Sequence, residues 1–426
     1  MRLIFGLLLV SALGLAGCES RRPANTDATQ PTAVVDTLLN QRPVARTLPP
    51  DTLDYAKEME RQSMYPQRDT LIQLGSRHYW LTVKLVADST RPIDFAPAEL
   101  AGRYFAAPSD TAWRAHRVRG YDGTYTFTLR DSTRQRLIFS RLLHKKDLRA
   151  AGPPEMVTVS EPEFYYCGYS LGLNALLFTV EVGIPSSDVG YRAALLLDAR
   201  TGQVQALHDI GSSSFDATDC NPRVAPNGQA VLTCADELLR PGRPSLSLKR
   251  PHAELRFARF LTDTTFLVIY AFGDYRPAKL DEEVPLTDSD DPNICAGFSQ
   301  PPPQEFVSTP AQARAANAFI YSTSGRVLRK FKYDGWEPAM GYALPRYWLA
   351  ATRTHYLMSE GKDLVLLPRA QPGTFQKLPI KRLPKFHPPR RPQEAQFTLY
   401  SDAGDYTFYV DKAKPEAIRY QFKPIE

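Results

Sequence analysis

"ALLLDARTGQVQAL", residues 194–207, and "NAFIYSTSGRVLRKF", residues 317–331, share one plan: an apolar run, a polar turn with a single glycine, and a second run. Setting Gly202 on Gly325 places Thr201 on Ser324 and Val204 on Val327. Apolar runs bounded by turn residues read as strands, and glycine supplies the positive φ that a tight hairpin turn needs. A second pair repeats the theme. "APNGQAVLTC" from Ala225 and "LTDTTFLVIY" from Leu261 each lead from a polar turn into an apolar strand. The members of the first pair stand 123 residues apart, those of the second 36.

Hairpins recurring in this way resemble the blades of β-propellers, where a polar turn joins the outer strands and a turn of the Pro-Asn-Gly type joins the inner ones. On that resemblance, 123 residues would equal three blades of about 41. Residues 158–426 would then hold about six. Stacked sandwiches produce the same hairpins. The expected fold class is therefore all-β: a small N-terminal β-domain over 51–150, then a propeller-like or sandwich antiparallel domain over 158–426. In the first of these, "HYWLTVKLVAD" alternates Trp80, Thr82, Lys84 and Val86 against Tyr79, Leu81, Val83 and Leu85, a strand signature. "GTYTFTLRDSTRQRLIFSRLL" reads as a hairpin turning in "RDSTRQ". A short helix is expected in "DTLDYAKEMERQ", capped by Asp51 or Thr52, and another within "PAELAGRYFAAPSDTAWRAH". Two stretches interrupt the β-pattern, an acidic proline-rich one at 277–306 and a basic one at 377–393. Insertions of this length lie on the surface and often carry function.

The N-terminus has one charge, Arg2, before the apolar run Leu3–Ala16. That suits a secretory signal and is short of the about 20 residues that span a bilayer. Leu15, Ala16, Gly17 and Cys18 resemble the lipobox of bacterial lipoproteins at every position. The resemblance implies a signal peptide over 1–17, a diacylglycerol thioether and further acyl chain (palmitate-type) on Cys18, and export to the cell envelope. Glu19 stands where some lipoproteins carry the aspartate of inner-membrane retention, which points to the outer membrane. Residues 18–50 lack apolar periodicity and read as a tether.

With 43% hydrophobic and 23% charged residues the chain has material for a real core. A net charge of +6 over 426 residues is mild, and together with the exported compartment it argues against a nucleic-acid partner. Four cysteines besides Cys18 fit an exported chain with disulfides. Cys220 and Cys234 flank an Asn-Gly turn between two strands, so a cross-strand bridge is expected there, leaving Cys167 with Cys295. Four free thiols are the alternative. Cysteines and histidines stand too far apart for a zinc site, and no cofactor is expected.

Three motifs suggest chemistry. Gly168, Tyr169, Ser170, Leu171 and Gly172 spell G-x-S-x-G, which in α/β-hydrolases forms the turn that exposes a nucleophilic serine. Ser170 would then act with Asp216 or Asp219 and with His252 or His355. The next residues, Leu176, Phe178, Val180 and Val182, alternate as a strand rather than a helix, which favours a plain hairpin. "DSDDPN" from Asp288 groups three carboxylates without the glycine and distal glutamate of a standard calcium loop. Phe164, Tyr165, Tyr166 and Tyr169 offer ring faces to a sugar, while Lys385, Arg390 and Arg391 offer charge to anionic headgroups or acidic glycans. The reading is a lipid-anchored, non-catalytic binding or scaffold module whose partner is an envelope protein or a glycan. A serine hydrolase or glycan-active protein is the alternative.

Overall fold

The computed structural model describes residues 52–54, 67–95, 117–152, 157–158, 160, 162–183, 190–212, 219–277, 304–335 and 344–425. All belong to one compact unit, Leu48–Glu426. The described chain is all-β and propeller-like: six antiparallel sheets follow one another, each built mainly from strands consecutive in the chain. Sheet 1 comprises Gln67–Leu74, Arg77–Phe95, Arg117–Asp131 and Leu137–His144, with Thr52–Asp54 added in parallel to one end of Arg117–Asp131. Sheet 2 is Glu163–Ser170, Ala175–Gly183, Gly190–Asp198 and Val204–Ser212. Sheet 3 is Arg223–Val224, Val231–Leu232, Glu237–Leu239 and Leu246–Ser247. Sheet 4 is Ala253–Phe260, Thr265–Phe272, Ala318–Ser322 and Val327–Phe331. Sheet 5 is Arg346–Leu349, Thr354–Ser359, Asp363–Pro368 and Gln376–Pro379, and sheet 6 is Glu394–Ser401, Gly404–Asp411 and Ile418–Pro424.

Each sheet shares a core with the next. Leu81, Val83 and Phe127 of sheet 1 pack with Leu176, Phe178 and Val180 of sheet 2. The other face of that same sheet-2 strand gives Ala175 and Leu177 to a core with Val231 of sheet 3. In sheet 4, Phe266, Val268 and Tyr270 face sheet 3, while Leu267 and Ile269 pack with Leu357 and Val365 of sheet 5. Tyr356, Met358 and Leu366 then meet Phe397 and Phe408 of sheet 6. A strand covered on both faces needs apolar residues at nearly every position, which is why "ALLF", residues 175–178, and "FLVIY", residues 266–270, run without a polar break. Each such side chain, fully buried, contributes about 1.5–3 kcal/mol of transfer free energy. The two terminal sheets alternate instead, with Trp80, Thr82 and Lys84 opposite Leu81, Val83 and Leu85, because one face of each lacks a core partner. Among the described residues no core joins sheet 6 back to sheet 1.

The paired sequence stretches occupy equivalent places. Residues 194–207 and 317–331 form the outer hairpins of sheets 2 and 4. In the first, Asp198 accepts from the backbone N–H of Arg200 and Thr201 at 2.9 and 2.8 Å, and Gly202 takes φ 69°. In the second, Ser322 accepts from the Arg326 N–H at 3.1 Å and Gly325 takes φ 97°. The stretches from Ala225 and Leu261 are the inner hairpins of the adjacent sheets 3 and 4.

The spacing of the first pair is corrected by the structure. Their 123 residues cover two sheet-to-sheet steps, not three, because sheet 4 carries the 277–306 insertion between its second and third strands. Its base is a ribbon pairing Asp274–Pro277 with Gln304–Val307. For the same reason 158–426 holds five sheets rather than six. The stretch expected as a small separate N-terminal β-domain supplies sheet 1, which shares its core with sheet 2. Thr52–Asp54, expected to open a helix, is a strand. The helix expected in 97–116, the "DSDDPN" loop and Cys18 lie outside the described residues.

The basic insertion is tied down. Lys385 pairs in parallel with Tyr420, so the chain preceding sheet 6 forms its outer edge. Phe386 stacks on Tyr409 at 3.8 Å. Arg419 grips Glu394 through two hydrogen bonds of 2.9 and 2.7 Å.

Candidate functional site

The first strands of neighbouring sheets approach one another: 67–74 and 163–170, 163–170 and 223–224, 346–349 and 394–401. They line the inner edge of the array, where residues far apart in sequence meet. Ion pairs and charges run along this edge. Arg68 of sheet 1 pairs with Glu163 of sheet 2 at 2.8 Å and lies 4.5 Å over the Tyr165 ring. Tyr165 donates to Glu163 at 2.5 Å. Burial raises the Glu181 carboxyl above its ordinary range and lowers the nearby Arg192 guanidinium, each being the other's favourable charge.

A cavity of about 440 Å³ lies between sheets 4, 5 and 6. Arg259 comes from the first strand of sheet 4, Arg346 and Trp348 from that of sheet 5, and Thr398 and Tyr400 from that of sheet 6. Asp219, just before sheet 3, and His355 join the wall, with Leu344, Pro345 and Leu399 as its aliphatic part. On 346–349, Arg346 and Trp348 share one side; Tyr347, on the other, also lines the cavity and stacks on Phe397 of sheet 6 with ring centres 4.8 Å apart, and Leu349 is buried in the sheet 5–6 core.

Asp219 is fully engaged. Both its carboxylate oxygens accept from Arg346, one at 3.0 Å, and the Leu344 N–H donates to it at 3.0 Å. Such a bidentate fork is the strong form of an ion pair. Arg346 also lies 5.1 Å over the Phe257 ring. Arg259 differs: among the described residues its guanidinium has neither a hydrogen bond nor an ion pair. Burial, with the like charges of Arg223 and Arg346, pulls its pKa down to about 10 against the favourable Asp219. It remains a cation at neutral pH. His355 lies against Trp348, ring centres 4.4 Å apart. Burial first, then the charges of Arg259 and Arg369, take its pKa to about 4. It is neutral at pH 7.

A larger cleft of about 680 Å³ lies among Arg256, Phe306, Lys332, Asp334, Glu360 and Asp402. Its cations have counter-ions: Arg256 with Glu254 at 3.2 Å, Lys332 with Asp334 at 3.2 Å. Self-neutralised walls attract a charged ligand less than an unpaired guanidinium does.

The hydrolase expectation is corrected. Ser170 is fully buried at the end of an inner strand, donates to the Gly228 carbonyl at 2.9 Å and accepts from the Leu173 N–H at 3.3 Å. The chain turns and continues as strand Ala175–Gly183 rather than a helix, because Leu176, Phe178 and Val180 are needed in the sheet 1–2 core. No histidine or acid bonds the serine among the described residues. Of its proposed partners, Asp219 and His355 meet in the cavity, His252 pairs with Asp274 at 2.7 Å elsewhere, and Asp216 lies outside the described residues. Cys220 and Cys234 form the expected disulfide, Cα atoms 5.7 Å apart. Cys167 carries a free thiol, 3.2 Å from the Thr179 hydroxyl and raised in pKa by burial. Its expected partner, Cys295, lies outside the described residues. Of the aromatic run, Phe164 is core and Tyr165 is taken by Glu163 and Arg68. Arg259, Arg346, Trp348 and Tyr400 escaped the sequence reading, since no local spacing links them.

No protein-family model matches the chain, and no curated protein sequence does. Among solved structures it is similar to a protein from Lactobacillus plantarum, at 12% identity and TM-score 0.29 over 76% of this chain and 80% of that one. It is similar to BamB from Moraxella catarrhalis at 9% identity and TM-score 0.25, over 80% of this chain and 88% of that one. The β-propeller domain of Cps50 (Swd1) from Myceliophteria thermophila gives 10% identity and TM-score 0.22, over 62% and 88%. At these scores the likenesses carry no weight on function, and the propeller-like fold rests on strand order and the cores shared by successive sheets.

Proposed function

We propose that the chain is an exported binding module of the bacterial cell envelope, held to the outer membrane by lipid on Cys18, that seats a ligand in the inner-edge cavity without reacting with it. Arg259 is the observation that carries this reading. A half-buried guanidinium without a partner among the described residues costs free energy, and the cavity beside it is of the size that takes a small ligand or the end of a larger one. Ser170, the nucleophile suggested by the G-x-S-x-G pattern, is spent on the backbone of a hairpin.

Hydrogen exchange of the intact lipidated chain, with and without a solubilised extract of its own envelope, tests the reading. Ligand in the cavity slows exchange in 346–349 and 394–401. No protection of these strands overturns it, as does chemical turnover of the protected component. Membrane fractionation of the Cys18→Ser variant tests the anchor separately: the variant leaves the membrane fraction if the lipid holds it, and stays if it does not.

A further inference from the structure

Resting on that reading, the geometry points to an acidic saccharide as the ligand, its carboxylate on Arg259 and a sugar ring against Trp348 and Tyr400. Three observations converge. The positive charge of Arg346 is consumed by Asp219, whose carboxylate also holds the Leu344 N–H. Arg259 lines the cavity with no bonded counter-ion among the described residues, Arg223 adds a like charge nearby, and the Asp219 carboxylate that would oppose an anion is held by Arg346. A planar guanidinium donates two parallel hydrogen bonds to a carboxylate.

Beside the aliphatic Leu344, Pro345 and Leu399, the cavity is lined by the rings of Tyr347, Trp348 and Tyr400 and the hydroxyl of Thr398. Trp348 lies against His355 with ring centres 4.4 Å apart and planes tilted by 44°, and Tyr400, 61% exposed, stands at the rim beside Thr398. Flat rings suit the apolar face of a pyranose, and hydroxyls suit its edge. Neutral His355 adds no charge, so one anionic group satisfies the site. An acidic peptide would depend instead on pairing with the edge strand 394–401 and would leave the ring faces unused.

Calorimetric titration of the intact chain tests this with four probes: glucuronic acid-containing disaccharide, its neutral glucose counterpart, a glutamate-rich tripeptide and inorganic phosphate. The acidic disaccharide should bind, and the neutral one should bind about tenfold or more weakly, as for loss of a charge-assisted pair. Arg259→Gln should abolish that preference, Arg259→Lys should keep part of it, and Trp348→Ala should weaken both disaccharides. Circular dichroism of each variant shows whether it is folded; if Arg259→Gln is not, the Arg259→Lys and Trp348→Ala results decide. Equal binding of the two disaccharides overturns the inference, as does stronger binding of the tripeptide or phosphate. If no probe binds while the envelope extract still protects 346–349 and 394–401, the saccharide is overturned and the cavity reading stands.

Discussion

Removing Asp219 should cost more than removing the arginine it binds. Asp219 spans the array, reaching from the start of sheet 3 to the first strand of sheet 5, and its side chain and that of Arg346 are 19% and 26% exposed. Breaking a buried pair costs about 3–5 kcal/mol and an exposed one about 0–1, so this half-buried fork is worth about 2. The Leu344 N–H, left unmatched, adds about 1 kcal/mol. Asp219→Ala should therefore lose about 3 kcal/mol, because Arg346, Arg259 and Arg223 then face one another uncompensated. Arg346→Ala should lose about 1–2, since Asp219 keeps Leu344 and gains Arg259 as its counter-ion. The double variant should cost less than the sum, by about 1–2 kcal/mol of coupling. Urea unfolding followed by near-ultraviolet circular dichroism measures all three, and added sulfate should recover part of the Asp219→Ala loss by neutralising the arginines. Equal losses for the two single variants, additivity in the double, or indifference to sulfate would refute the electrostatic account.

Three further outcomes are expected. Ser170→Ala should destabilise by about 1 kcal/mol by leaving the Leu173 N–H without its acceptor, the Gly228 carbonyl keeping the Gly172 N–H, while the wild-type chain takes no label from a fluorophosphonate; labelling at Ser170 would restore the hydrolase. The Cys220→Ala, Cys234→Ala double variant opens a loop of 14-residue separation and should lose about 3 kcal/mol, visible as a lowered unfolding temperature under oxidising conditions only. His355 binds its proton at about pH 4 when folded and near its ordinary 6.5 when unfolded. Between those values the unfolded chain holds more protons, so stability should fall by about 2–3 kcal/mol as pH drops from 6.5 to 4. His355→Gln should show a shallower fall over that window in pH-dependent urea titrations, and an unchanged slope would discard the assignment.

The hairpins were legible in the sequence because their causes are local. Asp198 and Ser322 bond backbone N–H groups two to four residues on, and Gly202 and Gly325 supply the positive φ at the turns. The alternation read at Leu176, Phe178, Val180 and Val182 is one of two buried faces, since Ala175 and Leu177 fill a second core. The strand 175–183 is apolar almost throughout because sheets lie on both sides of it, whereas 77–88 alternates because sheet 1 has a core on one side. The disulfide followed from a turn that brings its two strands together. The number of sheets did not follow, because an insertion between two strands changes sequence spacing without changing the step from sheet to sheet. Nor did the site. G-x-S-x-G matched a pattern, but the neighbours of Ser170 are set by the packing of Leu176 and Phe178 against sheet 1. Arg259, Arg346, Trp348 and Tyr400 belong to three sheets, and their meeting depends on how those sheets stack about a shared inner edge. Turn chemistry and strand period act over a few residues, so the chain alone determined the hairpins; the charges that share a cavity were decided by the apolar faces packed behind them.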